Sequence, residues 1–198
     1  MRDLRPCSET QPVVVEKVRN HNRLYLNAYD APTYTGREAM SQECSAVPTA
    51  FRFTSKDLEA MPRIEGVRYE IVDGELYVSN APHWDHQNAA DELEFALRAW
   101  NKVSRAGATV TAPGLVFAED QDVIPDIVWI SHDRRARGLD AAGHLTIAPE
   151  LVVEVLSPGS SNERRDRDVK LSLYSRRGVD EYWIVDWRAR QVEVYRRV

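Results

Sequence analysis

Asp126 and Glu154 are acids in places where the surrounding sequence calls for none. Glu154 lies inside Leu151-Val152-Val153-Glu154-Val155-Leu156, a run apolar on both faces and so predicted to be a central strand. With a period of two, it shares a face with Val152 and Leu156. Asp126 stands within Val123-Ile124-Pro125-Asp126-Ile127-Val128-Trp129-Ile130, with a strand predicted over 124–130. An ionised carboxylate among apolar residues is costly unless a cation or several donors compensate it. Two such groups on neighbouring strands repel, and one shared cation relieves both. Mg²⁺ suits such a pair, because it takes hard oxygen ligands and keeps several waters. Each acid also has an ordinary structural reading, as the partner of a buried Arg or Lys. Nothing in the sequence says that the two strands are adjacent.

Lys170 is the third candidate. At helical spacing it shares a face with Leu173 and Tyr174, a face expected to pack on a sheet. A lysine there needs an anion. Asp166, four residues earlier, would serve as a plain ion-pair partner. Alternatively the helix returns over the strand of Glu154 and brings the ammonium to the shared cation. His83 and His86 have His-x-x-His spacing, but no third zinc ligand stands nearby. Arg134, Arg135 and Arg137 form one basic cluster, and Arg164, Arg165, Arg167 and Lys170 another. Both read either as phosphate contacts or as solvated faces. Tyr182 and Trp183 sit in an alternating strand and read as core and cover rather than as a base-stacking platform.

The elements that must position these groups are legible from Phe51 onward. Thr54 or Ser55 caps a short helix through Met61. Asp73-Gly74 between apolar runs predicts a hairpin, since both residues tolerate positive φ. Ala89, Leu93, Ala96, Leu97 and Trp100 predict an amphipathic helix over about 85–103, with Gly107 ending it. Strands are predicted at 108–111, 115–117, 124–130, 151–156, 181–185 and 191–195. A helix from Ser161 or Asn162 to Arg177 is expected to be closed by Gly178. Residues 1–50, polar and without sustained periodicity, are expected to form a flexible N-terminal extension.

Composition narrows the function classes. A chain of 198 residues supports one domain with a proper core. Cys7 and Cys44 both lie in the first fifty residues, which excludes a disulfide framework or cysteine-bound zinc near the acids and fits a reducing, cytoplasmic compartment. No apolar run reaches membrane-spanning length, so no membrane partner is expected. A net charge of -5 argues against a general nucleic-acid coat protein but leaves room for local basic patches.

Several segments together resemble the Uma2 family of restriction-endonuclease-like proteins, in the PD-(D/E)xK nuclease superfamily. They are Arg68-Tyr69-Glu70-Ile71-Val72-Asp73-Gly74-Glu75-Leu76, Pro125-Asp126-Ile127-Val128 and Pro149-Glu150-Leu151-Val152-Val153-Glu154-Val155-Leu156-Ser157-Pro158. Arg165-Asp166-Arg167-Asp168-Val169-Lys170-Leu171, with Tyr174, Gly178 and Tyr182-Trp183-Ile184-Val185-Asp186, completes the set. The likeness covers about 51–198 and implies an α/β restriction-endonuclease-like fold, a central mixed β-sheet flanked by α-helices. It further implies a Mg²⁺- or Mn²⁺-dependent endonuclease acting on DNA, with Asp126, Glu154 and the Val155 carbonyl as metal ligands. Lys170 would be the catalytic lysine, Glu70 a further carboxylate, His86 a matched histidine, and Arg164, Arg165 and Arg167 phosphate contacts. The parent pattern has its lysine two residues after the second acid, where this chain has Leu156. A homodimer follows by analogy with enzymes that cut two strands. Two other readings stay open. One is an inactive nuclease-fold module that binds DNA or another partner. The other is a hydrolase using the two acids as general acid and base.

Overall fold

Ten strands and five α-helices are found among the described residues, 4–6 and 51–197 of the computed structural model, and the strands form two sheets. Residues 1–3 and 7–50, which hold most of the expected N-terminal extension, lie outside the described residues. All the elements below belong to the unit formed by Met1–Val13 and Arg52–Val198.

Strand β1 (Leu4–Pro6) is followed by helix α1 (Ser55–Ala60), which opens on a capping box between Thr54 and Asp57. The hairpin β2 (Arg68–Val72) and β3 (Glu75–Ser79) turns at Asp73-Gly74, both with positive φ, as the sequence predicts. Helix α2 (Trp84–Ser104) then leads to β4 (Gly107–Thr111), β5 (Leu115–Ala118), β6 (Gln121–Val123) and β7 (Ile127–Ser131). Helix α3 (His132–Gly138) precedes β8 (Leu151–Val155). Helices α4 (Ser160–Arg164) and α5 (Leu171–Arg177) flank a π-helical segment, Arg165–Lys170, before β9 (Glu181–Asp186) and β10 (Gln191–Arg197).

The larger sheet has the order β1-β10-β9-β8-β7-β4, with β8 and β9 parallel and the other pairs antiparallel. It is therefore the expected mixed sheet, and β8 lies near its centre. The smaller sheet has the order β3-β2-β6-β5. One face of β8 packs Val153 and Val155 with Ile127 and Ala90 of α2. The other packs Val152 and Leu156 with Leu173, Tyr174 and Tyr182. Helices thus cover both faces, which is why the sequence of β8 is apolar on both. Each such buried side chain contributes roughly 1.5–3 kcal/mol.

Four expectations are corrected. The 124–130 strand is broken: β6 ends at Val123 and β7 starts at Ile127, so Ile124-Pro125-Asp126 is the crossover between the sheets. Pro125 has no N–H to give to a ladder. Gly107 does not close α2, because Arg105 takes the left-handed cap at φ 52°. Gly107 instead opens β4, where a Cβ would collide with the Ile130 carbonyl. Ala96 faces solvent and Trp100 is half-exposed, its ring edge-on to Trp129, while α2 buries His86 and Ala90 with Ala89, Leu93 and Leu97 partly buried beside them. Finally, the helix over 161–177 is not continuous α-helix but is widened by the π segment.

Candidate active site

Glu154 is carried to the middle of the larger sheet by β8, and its ladder partner on β9 is Ile184. Its side chain points to the face covered by the π segment and α5. Lys170 Nζ donates to Glu154 Oε1 at 2.9 Å, and the Tyr174 hydroxyl donates to the same oxygen at 2.9 Å. Lys170 is also 2.9 Å from Glu70 Oε1. The lysine is therefore bound by both glutamates and not by Asp166, which instead has Arg165 at 3.4 Å. The ordinary reading of Glu154, a buried acid paired with a lysine, and the functional reading meet in one cluster.

Asp166, Lys170 and Tyr174, at spacings of four, share the inward face of this helical stretch, and Arg165–Lys170 within it is a π turn. Hydrogen bonding slipped from i+4 to i+5 widens the turn, a feature frequent at functional sites. The Tyr182 hydroxyl donates to the Asp166 carbonyl at 3.0 Å within that widened turn.

Asp126 comes to the cluster from the crossover. Its Oδ2 accepts from the Val155 N–H at 2.9 Å and lies 3.3 Å from His86 Nε2. Glu70 Oε1 accepts from the Ile124 N–H at 2.9 Å, so it fixes the crossover two residues before Asp126. Strands β7 and β8 pair as Ile127 with Val153, so two positions further on the same register would set Pro125 against Val155. Proline donates nothing, and the Val155 N–H has gone to Asp126. The N–H and C=O of one strand residue point to the same side. The Val155 carbonyl therefore points into the gap that Asp126 borders.

A small cleft opens to solvent here, and its lining includes Glu70, Asp126, Glu154, Asp166 and Lys170. Burial pushes the Asp126 carboxyl up, but the His86 ring, the Val155 N–H and Lys170 outweigh it and leave it below the usual range. Burial disfavours the Lys170 ammonium as well, yet Glu154, Glu70 and Asp166 hold it protonated, well above its ordinary value. Burial drives the Glu154 carboxyl up to about 8, against the pull of Lys170 and with Asp126, Asp166 and Glu70 adding to the rise.

That last shift fixes a pH dependence. The folded state holds the Glu154 proton more tightly than the unfolded chain, whose glutamate titrates near 4.5. Its contribution to stability is complete below about pH 4.5 and is lost as pH rises through about 8. Thermal melts in EDTA across this range should show the wild type losing stability relative to Glu154→Gln as pH rises. Equal slopes in the two proteins would exclude Glu154 as the titrating group.

Among the described residues, no three His, Cys, Asp or Glu side chains enclose a metal by themselves. Asp126, Glu154 and the Val155 carbonyl are a smaller, all-oxygen set beside a solvent-reached cleft. It fits a hard cation that keeps part of its water shell. Zinc on the His-x-x-His pair finds no support: His83 caps α2 and stacks on Trp187 with ring centroids 5.5 Å apart. His86 is buried, and its Nδ1 has no partner.

Of the three arginines expected at phosphates, Arg165 lines the cleft. Arg164 is 80% exposed, with Asp168 at 3.7 Å, and Arg167 is ion-paired with Glu193 on β10. Arg134 is bound to Glu150 and Asp180, and Arg137 to Asp133. Sequence reasoning misses Tyr174 as a donor to Glu154 and Arg68 as a cleft residue. Tyr174 is four residues from Lys170, and Arg68 two residues from Glu70, so both spacings carry the signal.

The fold is that of the restriction-endonuclease-like nucleases. It matches, with a TM-score of 0.59 and 20% identity over 73% of this chain and 79% of the other, the crystal structure of "a putative nuclease belonging to DUF820 from Anabaena variabilis ATCC 29413". The chain belongs to the Uma2 family, described as "Putative restriction endonuclease", whose model matches residues 55–198. No curated protein matches the chain. No helix among the described residues is long and apolar enough to cross a membrane.

Proposed function

We propose that this protein is a metal-dependent endonuclease that hydrolyses phosphodiester bonds in DNA, with residues 51–198 as its nuclease domain. The observation that carries the reading is the convergence of Asp126, Glu154, Glu70 and Lys170, from a crossover, two strands and a helix, on one cleft. Asp126, Glu154 and the Val155 carbonyl would hold Mg²⁺, or Mn²⁺ in its place. Bound there, the cation supplies Lewis-acid polarisation of the phosphate and a nucleophilic water at neutral pH.

The chain's own groups divide the remaining work. The Val155 N–H and His86 keep Asp126 anionic and aimed. Lys170, held protonated, is no general base. It fixes both glutamates and offers positive charge to the phosphorane-like transition state. Glu70 anchors the crossover and Lys170 together. Arg165 meets a flanking phosphate within the cleft, while Arg164 is left for phosphates outside it, and Arg167 is committed to Glu193. A second copy would supply the cut on the opposite strand.

One observation favours a second reading. Lys170 and Tyr174 already satisfy Glu154 Oε1, as they would in an inactive module that binds DNA without cutting it. Supercoiled plasmid separates the two. The nuclease reading expects nicked and linear products in Mg²⁺ or Mn²⁺ and none in EDTA. Folded wild type that leaves the plasmid intact in both metals would favour the module.

A further inference from the structure

The cleft is lined by four carboxylates, Glu70, Asp126, Glu154 and Asp166, and by three permanent cations, Arg68, Arg165 and Lys170. Two of the cations already have close carboxylate partners. Lys170 is 2.9 Å from both Glu70 and Glu154, and the partly buried Arg165 is 3.4 Å from Asp166. Arg68 differs. Its nearest carboxylate is Asp126 at 3.7 Å, beyond hydrogen-bonding distance, and its side chain is 37% exposed. It stands at the open end of the β2–β3 hairpin, opposite Ser79 in the ladder, and Ser79 and Asn80 line the same cleft. Neither Ser79 nor Asn80 hydrogen-bonds through its side chain to another described residue. This wall offers a guanidinium, a hydroxyl and an amide, and it carries no carboxylate.

We propose that Arg68, Ser79 and Asn80 form the phosphodiester-binding wall of the cleft, with the Arg68 guanidinium taking non-bridging oxygens of the DNA backbone beside Asp126. The assignment rests on the nuclease reading and extends it to substrate binding. A guanidinium fork matches two phosphate oxygens at once, and hydroxyl and amide donors position a backbone without reading its sequence. The loose attraction between Arg68 and Asp126 has a consequence. A divalent cation that neutralises Asp126 releases Arg68, so metal and DNA binding support each other through this residue.

Anisotropy of a short fluorescein-labelled duplex, titrated with the full chain in Ca²⁺ over a salt series, tests the wall without cleavage. Arg68→Ala is expected to weaken binding roughly tenfold. It should also make the dependence of log K on log salt shallower by about one unit, equally on duplexes of unrelated sequence. Asn80→Asp, at an exposed position, should weaken binding too and decides the matter if Arg68→Ala does not fold. Unchanged affinity and slope in these variants, with Arg165→Ala weakened, overturns the wall and leaves the nuclease reading standing. Wild type that binds no duplex at low salt overturns both.

Discussion

Asp126→Ala is expected to abolish metal-dependent nicking, with a loss of roughly 10³-fold or more, because a ligated cation supplies several kcal/mol of transition-state stabilisation. The substitution also removes the acceptor for the Val155 N–H, bound at 2.9 Å by Asp126 Oδ2. Leaving that buried donor unmet costs about 1–3 kcal/mol. Alanine alone therefore mixes an effect on folding with one on chemistry. Asp126→Asn separates them, since its carbonyl still accepts from Val155 while the negative charge is gone. It should melt near the wild-type temperature, lose the thermal shift that Mg²⁺ or Mn²⁺ produces in the wild type, and lose cleavage as fully as alanine does. Near-normal nicking by a folded Asp126→Asn protein would remove Asp126 from the metal site.

Lys170→Met should be the most destabilising single substitution in the cluster. The ammonium is almost fully buried and neutralises two buried glutamates at once. Methionine fills the same space but leaves both carboxylates without their cation, and breaking a buried pair in this way costs about 3–5 kcal/mol. Glu154, already pushed up to about 8, can take a proton and relieve part of that cost. The sign follows. The penalty is smallest at low pH, where Glu154 holds its proton, and grows as pH rises through about 8. Urea denaturation at about pH 5 and pH 8 would read the difference. A small penalty that is equal at both would show that Lys170 does not carry the charge balance of the cluster. Cleavage should fall even at the lower pH, where the variant folds best, because the positive charge facing the phosphate is gone.

The sequence by itself marks the residues that their own neighbourhood cannot explain. Glu154 in an apolar strand, Asp126 beside Pro125 and Lys170 on an apolar helix face each break a local pattern, and each is found lining the cleft. The hairpin at Asp73-Gly74 and the two-faced burial of β8 are also determined locally, because turn chemistry and residue period depend on near neighbours. The tertiary structure decides who meets whom. Lys170 meets Glu70 and Glu154, and not Asp166 four residues away, because its helical face packs over β8. Asp126 reaches Val155 because Pro125 breaks the ladder between β7 and β8. Arg167 turns to Glu193 on β10, while Arg68 enters the cleft from a hairpin far away in sequence. Such partnerships depend on strand order and on which helix face lies over the sheet. Both are set by packing across the whole core, so a local pattern can mark a residue that needs a partner without saying which partner it will find.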